Sequence, residues 1–160
     1  SARRGNTLCP ITLSLFYATD FMDQLENVII PALRAGFIVL ADRYFYTLMA
    51  RDLVRGTDLK WVQNIYGVAV VPDLVFYLNV SPHRLIERRW QKANAMDYWE
   101  SGMDMGLSRD WAVSFLIYQQ YLRKVFLKLQ DMYGFIVING NKSITAITND
   151  IVKQIEKVLI

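Results

Sequence analysis

An acidic and a guanidinium side chain stand together at the end of an apolar run, Phe37-Ile38-Val39-Leu40-Ala41-Asp42-Arg43-Tyr44. Such a run reads as a buried strand, and in parallel α/β sheets ligands sit outside the carboxyl ends of the strands. A carboxylate at that edge, Asp42, can hold a magnesium ion directly or through water. The planar fork of Arg43 beside it can clamp a phosphoryl group, a geometry that lysine does not offer. Phosphoryl transfer depends mainly on this kind of positioning and charge neutralisation. The same two residues also fit an ordinary ion pair at a strand end, so their neighbours decide between the readings.

A second cationic group is Arg84, Arg88 and Arg89, followed by Lys92 and the irregular stretch 94–106. Arg84 and Arg88 are four apart and share one helix face. A cationic helix feeding a mobile loop is how a lid closes over a charged substrate. The charge pattern alone favours a solvated face in which Glu87 pairs with a neighbour. Phe16 and Tyr17 precede Ala18-Thr19-Asp20. An aromatic ring there could stack on a base, although aromatics at helical spacing are more often core. Cys9 is the one cysteine, so no internal disulfide or cysteine-built metal cluster is available; His83, the one histidine, follows Pro82 in a helix's first turn, and no Ser–His–Asp arrangement is formed. A lone thiol suits a reducing cytosol.

The elements that must position these groups follow from periodicity. Residues 11–35 read as a helix with the stripe Leu15, Ala18, Met22, Leu25, Ile29 and Leu33; Pro31 predicts a kink and Gly36 a stop. Residues 37–41 form the expected first strand and 44–56 the next helix. Asp58 or Thr57 caps a short helix through Trp61 and Ile65. Residues 74–80 read as a second strand, and Ser81-Pro82 starts the arginine-bearing helix, which runs to about Lys92. The longest helix, 107–134, carries Trp111, Phe115, Tyr118, Leu122, Val125, Leu129 and Met132. A third strand, 135–138, ends at Asn139-Gly140, and Ser143 caps a last helix with Ile144, Ile147, Ile151, Ile155 and Val158.

Short continuous apolar strands alternating with long helices predict an α/β fold, a parallel sheet covered by helices on both faces. Three strands under-fill such a sheet, so further strands are expected upstream. The opening Ser1-Ala2-Arg3-Arg4-Gly5-Asn6 reads as a start in the middle of a domain. The 160 residues suit one domain, and 53% hydrophobic residues leave apolar surface for a partner subunit. Net charge is +3 with the cations dispersed, which argues against a dedicated nucleic-acid binder. No apolar run is long enough for a membrane span.

In this order the pieces resemble the thymidylate kinases, a branch of the P-loop nucleoside monophosphate kinases. The resemblance rests on Leu15-Phe16-Tyr17-Ala18-Thr19-Asp20, Ile29-Ile30-Pro31-Ala32-Leu33-Arg34-Ala35-Gly36, Val39-Leu40-Ala41-Asp42-Arg43-Tyr44, Pro72-Asp73-Leu74-Val75-Phe76-Tyr77-Leu78-Asn79-Val80 and the helix through Arg89. It implies a three-layer α/β/α sandwich of the P-loop NTPase type, here lacking its first strands and phosphate loop. It also implies a cytoplasmic, homodimeric transferase of nucleotide biosynthesis that moves a phosphoryl group from ATP–magnesium to dTMP or a related nucleoside monophosphate. By this likeness Phe16 stacks the base, Asp42 organises magnesium, Arg43 touches both donor and acceptor phosphates, Thr47 lines the acceptor pocket, and Arg88, flanked by Arg84 and Arg89, is the lid arginine. Several positions depart from the family pattern: Asp20 replaces the arginine that reads the thymine carbonyl, Arg51 replaces the aromatic residue at the deoxyribose face, Asp97-Tyr98-Trp99-Glu100 stands where an Asp-Arg-x-Glu is usual, and the second phosphate-binding arginine before Phe16 has no clear counterpart. An ionised carboxylate cannot donate a hydrogen bond, so Asp20 suits a base edge or sugar that offers donors. Two other readings stay open: a kinase of the same architecture with a different acceptor, and a non-catalytic relative that keeps the fold for binding or assembly.

Overall fold

A computed structural model describes residues 8–91 and 97–159. The chain divides into two compact units, Ser1–Val71 and Pro72–Ile160.

The first unit is helical. Helix α1 runs Pro10–Gln24, continues through a π-helical turn at Leu25–Ile29, and passes into α2, Ile30–Arg34. Pro31 is the cause of the widened turn: proline lacks the N–H and its ring crowds the carbonyl four residues back. The Ile30 N–H accordingly bonds five residues back, to the Leu25 carbonyl. Gly36, at φ +82°, ends the helix as its lack of a Cβ allows. Helices α3 (Phe45–Val54) and α4 (Leu59–Ile65) follow, the latter capped by Asp58, whose carboxylate accepts from the Trp61 N–H at 2.9 Å.

The stripe expected on α1 is rotated. Leu13, Ser14, Ala18, Phe21 and Leu25 are buried, whereas Leu15 and Leu33 are exposed. Phe21 sets the phase. Its ring lies 5.2–5.9 Å from the rings of Tyr44, Phe45 and Tyr66, and burying one large ring outweighs burying one leucine.

The second unit holds the sheet. Strands β1 (Phe76–Asn79) and β2 (Ile136–Asn139) pair in parallel, Phe76 opposite Ile136 and Asn79 opposite Asn139. Between them lie α5 (Pro82–Gln91), a short 3-10 turn at Met103–Met105 and α6 (Trp111–Tyr133); α7 (Ile144–Leu159) closes the chain. Tyr77 stacks on Phe126 of α6, ring centroids 5.0 Å apart, which seats one sheet face on that helix.

Two expectations are corrected. Residues 37–41 do not form a strand: the sheet of the described residues contains β1 and β2 only, and Ile38 and Leu40 are 77% and 88% exposed. An apolar run becomes a strand only where another strand supplies its backbone partners. The stretch after α5 is not a loose loop where it is described. Trp99 and Ser101 are buried, the Ser114 hydroxyl donates to the Ser101 carbonyl at 2.9 Å, and Gly102 packs on Tyr118. Residues 92–96, within the expected lid, lie outside the described set. Among the described residues no helix is long and apolar enough to cross a membrane.

Candidate functional site

Asp42 and Arg43 are both exposed, at the bend between residues 37–41 and α3. Asp42 lies two positions before Tyr44, the N-cap of α3, on the side where the helix dipole favours a negative charge. Arg43 is the one non-glycine among the described residues with positive φ, +63°. The left-handed region costs an arginine energy, and residues held there cluster where geometry serves function. The next residue, Tyr44, is itself anchored in the unit. Its hydroxyl donates to the Val70 carbonyl at 3.1 Å, and its ring meets those of Phe21 and Phe45 edge-on. Burial also pushes the Tyr44 hydroxyl pKa up, so it stays a neutral donor.

The other acceptor-side positions lie on α1 and α3. Phe16 is 61% exposed, so the core does not claim its ring. Asp20 is exposed and accepts from the Gln24 side-chain amide at 3.1 Å. Thr47 is half-buried in the first turn of α3, its N–H on the Tyr44 carbonyl at 3.0 Å. Arg51 is half-buried, with its guanidinium carbon 5.6 Å from the centre of the Tyr17 ring, a cation–π contact from α3 to α1.

The sequence reading missed Ser14 and Asp52, both buried, with the serine hydroxyl 2.5 Å from the aspartate carboxylate. Burial raises the Asp52 pKa, and the Ser14 hydrogen bond, Arg55 and Arg51 oppose that rise. A buried carboxylate survives only with such partners. The signal was a polar side chain on a helix's apolar face, which sequence alone does not pair across 38 residues.

In the second unit the carboxyl ends of the strands carry the polar groups. Arg88 donates to the Gly140 carbonyl at 3.0 Å and Arg84 to the Asn141 carbonyl at 3.5 Å, so both face the β2–α7 loop. Arg89 falls on α5, but its side chain lies outside the described set. The Asn141 side-chain oxygen accepts from the Ser81 N–H at 3.2 Å, and the Gly140 N–H bonds the Asn79 carbonyl at 3.0 Å. A Cβ on Gly140 would come within 2.4 Å of Val80, which is why the two loops can close so tightly. Below them lies a cavity of about 420 Å³ lined by Asn79, Ser81, Pro82, Arg123, Val137, Asn139 and Asn141. Arg123 donates to the Asn79 side-chain oxygen at 3.2 Å. Side-chain amides and guanidinium groups at a parallel strand edge present donors to an anionic or polar ligand.

No group of three or more histidine, cysteine or acidic side chains among the described residues could cage a metal. Magnesium keeps several waters and takes only one or two protein carboxylates, completing its shell with substrate phosphates. Asp42 is an exposed carboxylate of that kind.

Comparison with known proteins bears on the whole chain. Residues 1–151 match the family model for thymidylate kinase. A probable thymidylate kinase 2 of Saccharolobus solfataricus is 37% identical over 153 residues, covering 95% of this chain and 72% of that protein. Probable thymidylate kinases of Thermococcus kodakarensis and Thermococcus gammatolerans are 29% and 32% identical, matched over 65% and 63% of their lengths. The chain thus spans about two thirds of the length of these curated relatives.

Proposed function

The chain belongs to the thymidylate kinase family, and from that premise we propose that it serves a nucleoside monophosphate kinase that transfers the γ-phosphoryl group of ATP to dTMP or a related monophosphate. An oxygen of the acceptor phosphate attacks the γ-phosphorus, the bond to the β-bridging oxygen breaks, and ADP leaves with a nucleoside diphosphate as the second product. Little covalent work falls to the protein; it positions the reactants and balances charge.

The observation that carries this reading is Arg43, held at φ +63° beside Asp42 at the start of α3 within a chain of this family. Arg43 clamps the phosphates with its fork. Asp42 holds magnesium, which when bound neutralises phosphate charge. Phe16 offers an uncommitted ring face to the base, Thr47 and Arg51 line the acceptor side, and Arg88 with Arg84 and Arg89 closes over the transferring group. The acceptor assignment has a second form, favoured by Asp20. A carboxylate at this position accepts hydrogen bonds, as it does from Gln24, and so favours an acceptor whose base or sugar donates. A homodimer, a cytoplasmic location and a single kinase domain belong to the same reading.

The test is an ADP-release assay on the intact protein with a panel of monophosphates. Release that depends on one of them supports the kinase; equal rates with and without acceptor favour the non-catalytic relative. Asp20→Arg should shift selectivity toward dTMP, and unchanged selectivity would remove Asp20 from the base contact.

A further inference from the structure

Helices α1 and α3 are tied at two adjacent levels. Ser14 on α1 donates to the Asp52 carboxylate of α3 at 2.5 Å, with the serine 2% and the aspartate 8% exposed. One turn along α1, Tyr17 receives the guanidinium of Arg51, the residue before Asp52. Ser14 and Tyr17 are three apart, so they share one face of α1. Phe16 is Tyr17's neighbour in sequence and Arg51 is Asp52's, so the buried tie fixes the spacing of the two helices that carry the proposed acceptor contacts.

We infer that Asp52 is a positioning residue for the acceptor: through Ser14 it holds α1 against α3, and so sets the distance between the ring of Phe16 and the guanidinium of Arg51. The inference rests on the acceptor-side reading above. Neither Ser14 nor Asp52 touches the acceptor. Their surroundings leave the tie little play, because the same α1 face is packed by Phe21 against Phe45 and Tyr66. A buried hydrogen bond to a carboxylate is strong, and losing Ser14 removes one of the groups that offset the burial of Asp52.

The experiment measures the affinity of the intact protein for the acceptor its panel assay selects, and for ATP–magnesium, in wild type, Asp52→Asn, Asp52→Leu and Ser14→Ala. Asparagine keeps an oxygen that Ser14 can donate to; leucine removes it at similar volume. The expected result is about tenfold weaker acceptor binding for Asp52→Leu and Ser14→Ala, with Asp52→Asn within about threefold of wild type and ATP affinity unchanged in all. Should Asp52→Leu fail to fold, Ser14→Ala carries the test. Equal weakening of acceptor and ATP would mean general loosening and overturn the inference. So would acceptor affinity unchanged in Ser14→Ala and Asp52→Leu. If the wild type binds no monophosphate, the acceptor-side reading itself falls, an outcome separate from both.

Discussion

Replacing Arg43 by alanine and by glycine separates its chemistry from its backbone. Both substitutions delete the guanidinium and every contact it makes, so they should abolish phosphoryl transfer alike. They differ in the residue left at φ +63°. Alanine there bears the left-handed penalty of about 1–2 kcal/mol. Glycine avoids it but loses about 0.5–1 kcal/mol more backbone entropy on folding. At the middles of the two ranges Arg43→Gly is more stable than Arg43→Ala by about 0.75 kcal/mol. For a chain of this size that is roughly 1–4 °C in Tm. Paired thermal melts in one buffer, with activity measured on the same samples, provide the assay. Equal midpoints, or a more stable alanine variant, would show that the bend carries no strain and would refute the argument that Arg43 is held against its conformational preference.

Three further outcomes follow from the packing. Tyr66 is 3% exposed and its hydroxyl has no hydrogen-bond partner among the described residues, so Tyr66→Phe should stabilise by about 1 kcal/mol in urea titrations; a loss of stability would reveal a partner for that hydroxyl. Gly102 sits at φ +68° with an added Cβ only 2.8 Å from the Tyr118 Cβ, so Gly102→Ala should destabilise by about 2–3 kcal/mol, and a neutral result would mean the turn can shift away from α6. Burial raises the Asp52 pKa, so the folded state binds that proton more tightly than the unfolded state. Stability therefore falls as pH rises from the ordinary carboxylate value through the raised one, and stays at the lower level above it. Asp52→Asn removes that loss, so its stability relative to wild type should be greater at pH 7 than at about pH 3; a pH-independent difference would contradict the sign.

Local signals in the sequence were enough wherever neighbours along the chain do the work. Asp58 and Ser143 are caps as expected, with Ser143 accepting from the Ala146 N–H at 3.3 Å, and Pro82 begins α5. Helix α6 begins at Trp111, not 107, because its cap is Asp110, which accepts from the Val113 N–H. Pro31 announced a disturbance, but not that a π turn would absorb it. Residues 37–41 are not a strand for a non-local reason: a continuous apolar, β-branched run marks a segment that can pair, while pairing needs a second backbone. At the candidate site, the types Asp42 and Arg43 were legible and the left-handed backbone was not, since arginine carries no propensity for it. Ser14 and Asp52 were invisible because their pairing is fixed by how two helices pack. The shift of the α1 stripe from Leu15 to Ser14 and Phe21 has the same origin.

We propose that this chain serves transfer of a phosphoryl group between nucleotides. Incubating the intact protein with magnesium, ATP labelled at the γ-phosphorus and nucleoside monophosphates, then separating the products, tests it most directly. Label should appear in a nucleoside diphosphate and be lost in Asp42→Ala and Arg43→Ala. Label that stays in ATP, or appears only as free phosphate whatever monophosphate is present, would contradict it.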